Sequence, residues 1–161
     1  MALNDVSNIL WRERRLLELL VFKLEEEQLL LAAGRTRWLS HATREVDNIL
    51  EEIKKVELDR AVEVESVAQE LGLSSAPTLR ELADLTPTPW NGIFEEHRRA
   101  LLETAQEIDS VARANRDLLS RGQHAAREAL ATIGHVETDS YTAKGSAAAG
   151  TVGLRLIDEA M

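Results

Sequence analysis

The sequence predicts an all-α protein. Its form is an elongated antiparallel helical bundle of three long helices plus one short helix, with a flexible C-terminal tail ending in a short amphipathic segment. Three observations predict it. Apolar residues recur at spacings of three and four over long stretches. Only three prolines and eight glycines interrupt 161 residues. Charged residues make up 29% and aromatics only 4%, with Ala, Glu, Leu, Arg and Val dominant, a composition suited to long helices.

The first helix is expected over about 4–33. Leu10, Leu17, Leu20, Leu24 and Leu31 mark its stripe, widened by Ile9, Leu16 and Leu30. Asn4, Asp5 or Ser7 suits its start and Gly34 its stop. The second is expected over about 37–71. Leu39, Ala42, Val46, Ile49, Ile53 and Val56 form a heptad seam, and the same register continues to Arg60, Glu63 and Val67 before Gly72 ends the helix.

S-S-A-P-T at 74–78 reads as a loop. A short helix follows at 78–85, with Thr78 and Glu81 spaced as a capping box. Thr88 as N-cap and Pro89 as first helical residue open the last helix, about 89–133. Its expected seam is Phe94, His97, Leu101, Thr104, Ile108, Val111, Asn115, Leu118, Gly122, Ala125 and Ala129. The bundle is thus residues 1–134 and the tail 135–161. G-S-A-A-A-G-T-V-G at 145–153 has the composition of a flexible spacer. Beyond it, Leu154, Ile157 and Met161 stand at helical spacing in a segment too short to hold a helix alone in water.

Short connections make neighbouring helices antiparallel. Folding back at Gly34 should bring Glu25, Glu26 and Glu27 near Arg37, His41 and Arg44, pairing the two clusters across the hairpin. Trp11, Trp38 and Trp90 fall near helix starts or turns and are expected to cover the ends of the bundle.

Charge and composition exclude several functions. The net charge of −9 repels a phosphate backbone and an anionic lipid surface alike. Without cysteine there is neither disulfide nor thiolate metal site. No basic region precedes an apolar run at the N-terminus, and no apolar stretch approaches the roughly 18 residues of a membrane span. The expectation is a soluble, cytoplasmic protein that neither binds nucleic acid nor inserts into a membrane.

Helical bundles can hold metal pairs on Glu-x-x-His motifs. The residues three positions before His41, His97, His124 and His135 are Trp38, Phe94, Arg121 and Thr132. None is a carboxylate, so no di-metal site is expected and the histidines read as surface or seam residues. No nucleophile elbow, phosphate-binding loop or dinucleotide fingerprint occurs. No cofactor and no catalytic residue is assigned. Arg60, Glu63 and Asn115 on the seams have two readings. Either the stripe drifts and they point partly to water, or they form polar layers that set helix register.

Several segments together resemble the FlgN family of flagellar export chaperones. They are L-L-E-L-L-V-F-K-L-E-E-E-Q-L-L-L at 16–31, V-E-L-D-R-A-V-E-V-E-S-V-A-Q-E-L-G-L at 56–73, T-L-R-E-L-A at 78–83, A-N-R-D-L-L at 114–119 and S-Y-T-A-K-G at 140–145. The resemblance implies a cytoplasmic, non-catalytic chaperone. Such a protein binds hook-associated (hook–filament junction) proteins, keeps them unassembled, and delivers them to the flagellar export gate or its ATPase complex. It also implies that partner-binding elements lie toward the C-terminus: Tyr141, the chain's single tyrosine, and Leu154, Leu156 and Ile157 of the amphipathic end. The alternative is a structural coiled-coil adaptor that homodimerises through its seams and delivers no client. The plainer account of Tyr141 is an anchor pinning the tail near Ala125 and Ala129.

Overall fold

The computed structural model describes residues 2–132. Three long helices and one short helix appear in the expected order: α1 (Ala2–Ala32), α2 (Leu39–Glu70), α3 (Leu79–Leu85) and α4 (Trp90–Thr132). A 3-10 turn at Thr36–Trp38 precedes α2, so that helix starts at the first seam residue, Leu39, two residues later than expected. The all-α bundle is as the sequence predicted. The spacer at 145–153 and the amphipathic end lie outside the described residues.

Both glycine stops take the same form. Gly34 and Gly72 adopt φ of 67° and 68°, a left-handed conformation that costs other residues more. Behind them Arg35 N–H bonds Leu30 O, and Leu73 N–H bonds Ala68 O. Gly34 and Gly72 themselves donate to Leu31 O and Gln69 O. These are Schellman closures that satisfy carbonyls the helix leaves open.

At α3 the Thr78 hydroxyl accepts from Glu81 N–H while the Glu81 carboxylate accepts from Thr78 N–H, the reciprocal box the spacing predicted. Thr86 closes the other end by donating to Leu82 O at 2.8 Å. Leu79, Leu82 and Ala83 face inward from α3, which packs on α4. The start of α4 falls one residue late: Ile93 N–H bonds Pro89 O, so Pro89 rather than Thr88 opens the ladder. In α1, Ser7 caps nothing. It is buried and its hydroxyl meets His97.

α1 is the centre of the molecule. It packs against α2 and against α4, while among the described residues the backbones of α2 and α4 do not come together. Pairs Glu13–Arg60 and Lys23–Glu45 show that α1 and α2 run antiparallel. Pairs Ser7–His97 and Asn115–Leu24 show that α4 runs parallel to α1, offset by 90 and 91 residues. The chain therefore goes up, down and up.

The α2 seam is buried as read: Leu39, Ala42, Val46, Ile49, Ile53, Val56 and Val67 all lie in the core. The α4 seam needs correction. Ala105 and Ala112 are buried where Thr104 and Val111 were expected. Small side chains there let α4 lie close to α1, while Thr104 returns its hydroxyl to Ala100 O. The seam also ends early. Gly122, Ala125 and Ala129 are exposed, because the offset brings Ala32 level with Gly122 and α4 then runs past the hairpin with none of the described residues opposite it.

Candidate interaction site

Among the described residues, polar contacts built by α1 cross the apolar core at three levels. At the α1–α2 interface the Glu13 side chain is fully buried, and Arg60 Nη1 lies 2.7 Å from both of its carboxylate oxygens. Burial pushes the Glu13 carboxyl up from its ordinary range; the charge and hydrogen bonds of Arg60 oppose that rise. Glu57 sits 3.8 Å from the other guanidinium nitrogen. Of the two readings of Arg60, the polar layer is the one observed. Its stripe does not drift to water, because a carboxylate on α1 receives it.

At the α1–α4 interface His97 is 1% exposed. Arg14 Nη1 is 3.3 Å from its Nδ1 and the Ser7 hydroxyl is 3.1 Å from its Nε2. A guanidinium only donates, so Nδ1 must accept and Nε2–H donates to Ser7. Burial and the Arg14 charge push the imidazole pKa down to about 4. His97 is thus a neutral seam histidine, in keeping with the sequence reading.

Farther along, buried Asn115 donates from Nδ2 to Leu24 O at 2.8 Å and to Glu27 Oε1 at 3.4 Å. Asn115 is also a polar layer. Glu63 is half-buried on α2.

Glu27 corrects a second expectation. It turns into the core toward α4, and Glu26 bonds Lys23 at 3.0 Å. The hairpin pair that forms has the opposite sense, with the base on α1: Lys23 Nζ reaches Glu45 at 2.9 Å. Arg37 meanwhile stacks over Trp38 at 4.5 Å. Trp38 and Trp90 do sit at turns, Trp90 stacked on Phe94. Trp11 does not. It lies in the third turn of α1, edge-on to His97 at 5.1 Å with Arg14 over its ring.

Two surface features could engage another molecule. A cleft of about 320 Å³ opens where the start of α1, the end of α2 and the loop before α3 meet, its apolar wall formed by Val6, Leu10, Val64, Leu79 and Leu82, with Arg60 beside them. The second is the outward face of α1, where Leu19, Phe22 and Leu29 stand exposed beside Trp11. Sequence reasoning missed this face. Its signal was present as a second set of residues at spacings of three and four, opposite the core stripe.

The residues assigned to partner binding, Tyr141, Leu154, Leu156 and Ile157, lie outside the described residues, as does His135. Among the described residues no group of three or more His, Asp or Glu could hold a metal ion. No helix among them is long and apolar enough to cross a membrane.

A family model described as FlgN protein matches residues 1–149. No curated protein and no solved structure matches the chain.

Proposed function

The chain belongs to the FlgN family, a family of flagellar export chaperones, and we propose that it works in the cytoplasm, holding hook-associated proteins unassembled and delivering them to the export gate or its ATPase complex. The family match over residues 1–149 carries this reading. The bundle is compatible with it, since a scaffold locked by buried polar layers can present a recognition segment without itself refolding. The chaperone role is non-catalytic and needs no cofactor.

In this reading Tyr141 and the apolar residues Leu154, Leu156 and Ile157 contact the client or the gate. Tyr141 falls inside the matched span; the other three follow it. An amphipathic segment can bind by folding onto a partner's apolar groove. The acidic surface of the whole, with net charge −9, favours solubility while an apolar client segment is covered.

Co-purification with candidate hook-associated proteins tests the proposal, using the full chain and a variant ending at residue 134. The full chain should retain a client and the shortened one should lose it, with helix content preserved. Capture by the shortened chain would move the client site onto the bundle. Absence of capture by the full chain would remove the client assignment.

A further inference from the structure

The cleft beside the end of α2 is a gap in the bundle. α3 packs on α4, and among the described residues the backbones of α2 and α3 do not come together. Val6 and Leu10 of α1 floor the gap, with Val64 of α2 on one side and Pro77, Leu79 and Leu82 on the other. It holds about 320 Å³, the small end of the range for ligand pockets and room for a few aliphatic side chains. Apolar surface continues outward from it along α2. Ala61 is exposed on the rim, and Leu58 and Val62 beside it are 70% and 68% exposed. A groove between helices with an apolar margin is the shape that receives the apolar face of a further helix.

The charge of the rim selects the occupant. Arg60 is balanced by the buried Glu13, so with Glu57 and Glu65 beside it the cleft is net acidic. Glu65 is exposed. A fitting segment is apolar with a basic residue inside it. Beyond Thr132 the sequence has one such cluster, Leu154, Leu156 and Ile157 around Arg155. So short a segment cannot hold a helix in water without a surface to fold on. The reach is sufficient. The offset of 90 residues between α1 and α4 sets Leu10 level with Ala100, so the end of α4 lies about 50 Å along the bundle from the cleft. Residues 133–153 span up to about 70 Å when extended.

We propose that the groove at the end of α2 is the docking site of this chain's own segment 154–161, with Leu154, Leu156 and Ile157 on its apolar surface and Arg155 at Glu65. The docking does not depend on what the segment binds elsewhere. Its consequence does, and rests on the client reading above: a client or gate that takes the segment must compete with the groove for it.

The chain has no cysteine, so a nitroxide on Ala160→Cys labels one position of the full chain. Docking should broaden the methyl NMR signals of Leu58, Val62 and Val64 and spare those of Leu29 and Leu31 at the far end of α1. In a mixture of isotope-labelled chain without nitroxide and nitroxide-bearing chain without isotope, the broadening should vanish, because the contact lies within one chain. Ile157→Ser should lower the docked-to-free ratio by about tenfold or more, the scale of one buried aliphatic side chain. At low salt Arg155→Glu and Glu65→Arg should each lower it roughly threefold, the scale of an exposed ion pair, and the two together should restore it. Circular dichroism of each variant checks that the bundle is intact. Groove signals that stay sharp overturn the proposal, as does broadening that persists in the mixture, which would seat the segment on a second copy. Broadening centred on Leu19 and Phe22 would place the segment on the outer face of α1 and overturns it too, and so do charge variants without effect. None of these outcomes bears on the client assignment, which co-purification decides by itself.

Discussion

Arg60 of α2 reaches across the first hairpin and places Nη1 2.7 Å from both carboxylate oxygens of Glu13 on α1, whose side chain is fully buried. A carboxylate this deep is tolerable only because a guanidinium meets it. Sliding α1 against α2 by one residue would separate the two and leave the buried Glu13 carboxylate without its guanidinium. The pair therefore disfavours other registers more than it strengthens this one.

Replacing Arg60 alone should cost about 3–5 kcal/mol, the range for orphaning a buried charge. The double variant Glu13→Met/Arg60→Met should lie much closer to the original, since nothing is then left unpaired. Urea unfolding of both singles and the double makes the comparison; additive losses would contradict it. The pH dependence has a definite sign. Burial already raises the Glu13 carboxyl, and removing Arg60 raises it further. A group whose pKa is higher folded than unfolded favours the fold below its unfolded pKa. Relative to the unmodified chain, Arg60→Met should therefore lose least stability below the ordinary glutamate range and lose more as pH rises through the elevated value.

His97 gives the opposite slope. Its pKa is pushed down to about 4, so between the ordinary histidine value and 4 the unfolded chain takes up a proton that the folded chain refuses. This contribution is fully present above about 6.5 and is lost as pH falls toward 4. His97→Gln should unfold with a shallower loss over that interval than the unmodified chain. Proton NMR should place the His97 titration near pH 4; a midpoint above 6 would mean that the imidazole is not held neutral by Arg14 and burial.

Thr78→Ala should lower stability by about 1 kcal/mol, the usual effect of deleting a helix N-cap. The loss falls on α3, whose seven residues cannot sustain a helix without packing and caps. Serine at the same position should restore most of it. Guanidinium denaturation reads the difference, and an alanine variant as stable as the original would mean that the box contributes nothing.

Tyr141→Ala should leave helix content and Tm nearly unchanged while weakening retention of a hook-associated protein or binding to the export gate. Thermal unfolding and pull-down together check it. A large fall in Tm would instead make Tyr141 a packing residue of the bundle.

Much of this architecture was legible from one-dimensional patterns. Apolar spacing set the number and extent of the helices, because a helix repeats every 3.6 residues whatever it later packs against. Gly34, Gly72 and the Thr78–Glu81 pair marked boundaries because their chemistry is local: a left-handed residue or a reciprocal hydrogen bond needs only its immediate neighbours. The α2 seam was readable from Leu39 to Val56 for the same reason.

Partnership between distant residues was decided by the tertiary structure. Nothing in the spacing of Glu13 singles it out as the acceptor of Arg60, 47 positions away. The parallel run of α4 beside α1 determined that Ala105 and Ala112, not Thr104 and Val111, face the core. It also determined that α4 outruns the hairpin after Gly122. Glu27 was expected, with Glu25 and Glu26, to pair with the basic cluster across the hairpin and instead enters the core toward Asn115. Period alone reveals which residues share a face. Which face is covered, and by whom, depends on the relative axial offset of helices joined through loops, and that offset is fixed by contacts far apart in the chain.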